Sequence, residues 1–364
     1  MAVPYMMISS FPSWTGGDIT AALTDALAAN VPLCLEPGTY TCGPVFVPSN
    51  AYLWMHPGVT ISPAVGMTSG NIFNFWSVKN ATVNGGKFLI DLSVAPNVTA
   101  LSGQSSNAIN LSDVEVSGGY FGTNFTACTA CNFDRLTVRN ISAVGILFQA
   151  SGSSGNKVLR CTISNVDTSH GIQFQGGAKN VASYNTISNT GNFGISIYQE
   201  QLTSASYNTI ANTRVEAISI DSSYNCSASF NTASWYGSSL ISQDFGMSMN
   251  GPTNPAAACN FNSFVGNFIN NCAKSGIGIA GNCQFNTISN NTISSVNRIN
   301  EALGAGILFY DTGCANNVAI NNTLYGDSYM KYGVNDTASG ITQKYANNNI
   351  VGAVTKYAKT SAAW

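Results

Sequence analysis

A short segment recurs along this chain every 23 to 30 residues, and this recurrence limits the available folds more than any other feature. Segments of the type Gly-Ile-x-Ile begin at Gly145, Gly171, Gly194, Ala217, Gly246, Gly276 and Gly306. A second apolar stretch follows each, usually opened by asparagine. Its members begin at Cys161, Asn185, Asn208, Asn231, Asn267, Asn291 and Asn322. From Gly171, Gly194 and Ala217 the offset to that stretch is 14 residues. Between Gly246 and Asn267 it is longer, with extra residues around Pro252 and Pro255. Within a segment, apolar and polar residues alternate, as in Ile218-Ser219-Ile220-Asp221, which is the period of a half-buried strand. Helical solenoids need longer apolar stretches at helical spacing, and leucine-rich repeats need a Leu/Asn frame; neither is present. A repeat made only of short strands fits a parallel β-helix, in which each turn stacks on the next and only the two ends need covering.

The expected fold is therefore all-β: a right-handed single-stranded parallel β-helix of roughly ten turns with a short N-terminal capping helix. The whole chain, residues 1–364, reads as one domain. Residues 1–45 form its N-terminal cap region, 71–345 its repeated turns and 346–364 its C-terminal cap. Asp18 caps the helix, which carries Ile19, Ala22, Leu23, Ala26 and Leu27 on one face. Asparagines at the start of the second strand are expected to hydrogen-bond from turn to turn and to tolerate left-handed backbone.

Composition excludes several function classes. Charged residues make up 8% of the chain, against roughly 25% in ordinary globular proteins. Net charge is −2 without a basic stripe, so no nucleic-acid partner is expected. No apolar run is long enough to span a membrane. Met1-Ala2-Val3-Pro4 does not open a signal peptide, so an expected secretory signal is absent or removed. The ten cysteines are too dispersed for a disulfide scaffold. Cys128 and Cys131 lack the partners of a zinc site. Cys34 and Cys42 flank a Pro37-Gly38 turn and could bridge in an oxidising compartment.

The N-terminal helix, the Leu35-Glu36-Pro37-Gly38-Thr39-Tyr40 turn, Val47-Pro48-Ser49-Asn50, the Gly-Gly-x-Phe turns and the Asn-Thr-Ile rungs together resemble the pectin-lyase-like superfamily. The resemblance covers nearly the whole chain. It implies the β-helix fold and a place among polygalacturonases and related glycoside hydrolases, pectate and alginate lyases, uronan epimerases, fructan-cyclising transferases and phage tailspikes. It also implies a poly- or oligosaccharide partner, an extracellular or virion-surface location, and homotrimers as in tailspike-like relatives.

In such a fold the outer face of one sheet forms a groove for a sugar chain. Its polar positions here are Gln173, Gln175, Ser196, Tyr198, Ser219, Asp221, Ser248 and Asn250. Outside the central turns the positions become apolar or small, at Leu147, Gly278, Ala280 and Leu308. Acids are scarce, yet Glu200, Glu216, Asp221 and Asp244 fall in this section. These four are the catalytic candidates. Glu216 and Asp221 sit at opposite ends of one strand, roughly 16 Å apart, too far to act together. Glu216 and Asp244 on neighbouring rungs, about 4.8 Å apart, make the better pair. Glycosidases hold two carboxyls about 5–5.5 Å apart for retention and about 6.5–9.5 Å for inversion. Ser242-Gln243-Asp244-Phe245 resembles the Asn-Gln-Asp-Asp of polygalacturonases, and Asn212-Thr213-Arg214-Val215-Glu216 loosely their Asn-Thr-Asp. Phe245 replaces the second Asp, and Gly-His-Gly and Arg-Ile-Lys have no counterpart. The competing pair is Glu200 with Glu216; Glu200 follows its strand next to the rung of Asp221, which resembles the placement of an acid after a strand in fructan-cyclising transferases, where Glu200 and Asp221 would act together on an uncharged substrate. His170 and Arg214 are candidate substrate contacts. Tyr198 and Trp235 are candidate sugar platforms, with ordinary core or loop packing as the alternative. No converging ligand set implies a metal, and no cofactor is expected. The reading is a glycan-cleaving hydrolase with two carboxyls. Its rivals are a fructan transferase, a lyase or epimerase, and a non-catalytic glycan-binding fibre.

Overall fold

The computed structural model describes residues 5–14, 16–234, 245–252, 258–298, 302–311, 313–338 and 343–359. The chain forms two compact units, Met1–Ile172 and Gln173–Trp364.

In the first unit the helix Thr20–Ala28 buries Ala22, Leu23, Ala26 and Leu27, the face its apolar spacing predicts. Asp18 Oδ1 accepts the Thr20 backbone N–H at 2.9 Å, which meets one of the orphan donors of the first turn. Parallel pairing starts early. Leu33–Leu35 pairs with Leu53–Met55, and Gly38–Cys42 with Val59–Pro63. The region read as a cap thus already contributes turns, which helps bring the count to about 13 where the repeat alone suggested ten. Phe73, Phe75, Phe88, Phe125, Phe133 and Phe148 fill the interior of this unit. Outside, ion pairs climb from turn to turn: Arg135 to Asp113 at 2.7 Å, and Arg160 to Asp134 at 2.7 Å.

In the second unit Ile195–Tyr198, Ile218–Asp221, Met247–Asn250, Ile277–Ala280 and Ala305–Tyr310 lie side by side in parallel. The register aligns Ile195, Ile218, Met247, Ile277 and Ile307 as one fully buried column. Tyr332–Asp336 and Thr355–Lys359 continue the sheet, so part of the expected C-terminal cap is itself a strand. The glycine that opens each segment has a steric cause. A Cβ on Gly194 would stand 2.6 Å from Ala217 O, and one on Gly246 would stand 2.7 Å from Gly276 O. The chain there passes too close to the next turn for most side chains.

The asparagine ladder is present. Asn208 Oδ1 accepts both the backbone N–H and Nδ2 of Asn185, each at 2.9 Å. The same double bond repeats through Asn231, Asn267, Asn291, Asn322 and Asn348. Left-handed backbone falls one residue earlier than expected, on Tyr184, Tyr207 and Phe230, with φ of 60°, 57° and 56°. A second ladder, unread in the sequence, runs Asn262, Asn286, Asn317, Gln343, with N–H to side-chain oxygen distances of 2.8 to 2.9 Å. The Cys34–Cys42 bridge that the Pro37-Gly38 turn would allow does not form. All ten cysteines are free and buried, and several occupy inward positions where a thiol donates to a nearby carbonyl, as Cys259 does to Ile220 O.

Candidate active site

Strand alternation sends Ile218 and Ile220 inward and Ser219 and Asp221 to the outer face of the second unit. On that face the first polar column, Ser196, Ser219 and Ser248, is sealed from solvent. The second column, Tyr198, Asp221 and Asn250, is partly exposed and in register. Gln173 and Gln175 are likewise half-buried, and Gln173 Nε2 donates to Gln175 Oε1 at 3.2 Å.

Asp221 is the centre of this patch. Ser219 Oγ donates to its Oδ2 at 3.0 Å, and Ser219 and Ser248 hydroxyls are 3.1 Å apart. Asn250 Nδ2 donates to Ser248 Oγ at 2.9 Å. Asp221 Oδ1 and Asn250 Oδ1 are buried and receive no hydrogen bond. Burial pushes the Asp221 carboxyl up from 3.8 to about 6, against the opposing pull of Asn250 and Ser219. Desolvation disfavours the charged form of an acid, and here it outweighs the donors that would favour it.

The other candidate acids differ. The sequence set Glu200 beside Asp221 as a reacting pair, but Glu200 is 1% exposed and turned into the turn interior. Its Oε1 accepts Gly177 N–H at 2.7 Å, and its Oε2 accepts Asn180 Nδ2 at 2.9 Å and the Thr203 hydroxyl. Burial raises its pKa, with those three donors opposing. Glu200 stands where neighbouring turns carry Gly177 and Ser223, each directly after a left-handed residue. It is a bracket between turns. Glu216 is also buried, at 2%, and its carbonyl accepts Gly194 N–H at 3.0 Å. Asp244 and Trp235 lie outside the described residues, and the Glu216–Asp244 pair with them. Arg214 is exposed, and its backbone N–H donates to Thr190 O at 2.9 Å. His170 belongs to the first unit, where burial lowers its pKa to about 4. It is neutral at pH 7.

Phe245 has a role that its mismatch with an acidic motif concealed. It is 6% exposed and packs with Ala305 and Leu308, beside Leu303, Tyr310 and Tyr332. A Cβ on Gly278 would meet its ring at 2.7 Å. Phe245 therefore covers the sheet where the outer positions turn small, and bounds the polar patch on that side. The pairing of small Gly278 with a nearby phenylalanine was the available signal. The space among Thr213, Ala217, Phe245 and Cys272 has no room for a water molecule. Among the described residues, no group of three or more His, Cys, Asp or Glu could hold a metal ion. No helix there is long and apolar enough to cross a membrane.

Residues 99–251 match the family model of the right-handed β-helix region. No curated protein matches the sequence. The fold is similar to the A-module of the Azotobacter vinelandii mannuronan C-5 epimerase AlgE6. That match has 13% identity and a TM-score of 0.67, and covers 98% of this chain and 100% of that one. It is similar to PfbA, a surface adhesin of Streptococcus pneumoniae, at 13% identity and TM-score 0.60, covering 97% and 93%. It is also similar to pre-mature bacteriophage phi29 gene product 12, at 13% identity and TM-score 0.72, covering 98% and 57%. Parallel pairing, stacked asparagines and a family match over residues 99–251 agree: this chain is a right-handed parallel β-helix.

Proposed function

We propose that the outer face of the second unit acts on a glycan and that Asp221 protonates the glycosidic oxygen. The observation that carries this reading is a carboxyl raised to about 6 on a polar, uncharged face, with one oxygen that receives no hydrogen bond. A group that titrates near neutral pH can hold a proton and release it in the same cycle. Serine hydroxyls and amides on the same face, at Ser219, Gln173, Gln175 and Asn250, suit a neutral or weakly charged sugar. Tyr198, on the turn before Asp221, supplies an aromatic surface. Extracellular or virion-surface action fits this reading, since β-helix neighbours include a surface adhesin and a tailspike protein. Glu200 and Glu216 are both buried, and three donors hold Glu200 between turns.

A second reading, glycan binding without chemistry, is favoured by one fact: Asp221 is the only one of the three described candidate acids that is partly exposed. A glycan panel with product mass analysis tests both. Hydrolysis adds one water, transfer adds none, and elimination yields unsaturated ends. D221N is expected to lower turnover by about 10²–10⁴-fold, the usual worth of a general acid, with glycan binding retained. Full turnover in D221N would remove Asp221 from the reaction. Binding with no turnover in the wild type would establish the second reading.

A further inference from the structure

Four side chains on two neighbouring strands form a hydrogen-bond chain whose direction is set at one end. The Asn250 amide nitrogen can only donate, and it donates to Ser248 Oγ at 2.9 Å. The Ser248 hydrogen is then available to Ser219 Oγ, 3.1 Å away. Ser219 donates onward to Asp221 Oδ2 at 3.0 Å. Both serines are 0% exposed, so water does not compete along the line. At its far end Oδ2 is occupied as an acceptor, while Oδ1 is buried and receives nothing.

We infer that the Asn250–Ser248–Ser219 chain keeps Asp221 Oδ2 as a hydrogen-bond acceptor and so places the transferable proton on Oδ1, which makes Asn250 and Ser248 positioning residues for its acid chemistry. The inference rests on the proposed role of Asp221, but the proton can be located without substrate. Successive hydrogen bonds polarise one another, so a donor two residues away strengthens the last bond. The titratable groups around Asp221 are few among the described residues. Tyr198 faces it from the preceding turn, and Cys283 is near enough for Asp221 to help raise its thiol. The following strand, Met247–Asn250, presents no titratable side chain.

Infrared difference spectra against D221N isolate the carbonyl stretch of protonated Asp221 and follow it with pH. With the proton on Oδ1, the carbonyl is Oδ2, held by Ser219, and its stretch lies low. S219A is expected to raise that frequency. S248A breaks the chain and leaves the direct pull of Asn250 on the Asp221 carboxyl in place; it is expected to move the titration midpoint up by roughly one pH unit. S248T keeps a hydroxyl and is expected to titrate like wild type, which separates loss of the chain from loss of fold. An unchanged frequency in S219A, or an unchanged or lowered midpoint in S248A, overturns the inference. Neither result depends on turnover, so failure here is distinct from active D221N, which overturns the proposed function instead.

Discussion

Asp221 shows how one residue acquires its character from its neighbours. Its position on the outer face follows from alternation within Ile218–Asp221. Its proton affinity does not follow from sequence, because it comes from enclosure by other turns. That enclosure has a measurable cost. An unfolded aspartate releases its proton as pH rises through 3.8, while folded Asp221 retains it to about 6. Across that window the folded state binds more protons, so stability falls as pH rises, and the deficit persists above it. At about 1.36 kcal/mol per pKa unit, the deficit reaches about 3 kcal/mol. D221N is therefore expected to raise the urea midpoint at pH 7.5 and to give no gain below pH 3.8, as chemical denaturation at the two pH values would show. Glu200 is the opposite case. It looked reactive because acids are rare here, yet three donors hold it inside. The clue was positional: like Gly177 and Ser223, it follows a left-handed residue at the same corner of the turn. Aligning the strands alone left that corner unread.

At the scale of an element, the stacked asparagines show why the repeat tolerates so little charge. Each asparagine joins its turn to the next through two side-chain bonds, and its Nδ2 also reaches a carbonyl on the turn before, as Asn231 does to Ala205 O at 3.0 Å. Removing one buried member strands several partners together. N231A would leave the Asn208 N–H and Nδ2 without their acceptor and Ala205 O without that donor. At about 1–3 kcal/mol for each unmet buried group, a loss of roughly 3 kcal/mol or more is expected. N348A, at the part-buried end of the ladder, is expected to cost less than half as much. Equal losses in thermal or urea denaturation would mean that burial is not what gives the ladder its strength. The left-handed corner beside it carries aromatic residues. Left-handed backbone costs an ordinary residue roughly 1–2 kcal/mol. Stacking of Tyr184 on Tyr207 at 5.0 Å, and of Tyr207 on Phe230 at 5.2 Å, returns about 0.5–1.5 kcal/mol per pair. The repeat makes that compensation available, because equivalent corners recur one turn apart.

At the scale of the whole molecule, stability comes from stacking and not from covalent bridges. All ten thiols are free and buried, and burial holds most of them above the usual cysteine range, as with Cys272 at about 12. Thermal denaturation is accordingly expected to be unchanged by dithiothreitol. A fall in melting temperature on reduction would reveal a bridge. Much of the architecture was legible in the sequence. Period, strand alternation and recurring asparagine each report a local rule repeated on every turn, so one chain samples the same rule many times. Turns near the ends were undercounted because Leu33–Leu35 and Thr355–Lys359 pair like the others without carrying the repeated motif. The sequence by itself determined which residues face in and which face out, since that depends on strand period alone. Only the tertiary structure decided that Glu200 is a bracket, that Phe245 covers Gly278, and that burial raises the Asp221 carboxyl to about 6. Those properties arise from side chains one turn away, at distances that no local pattern specifies.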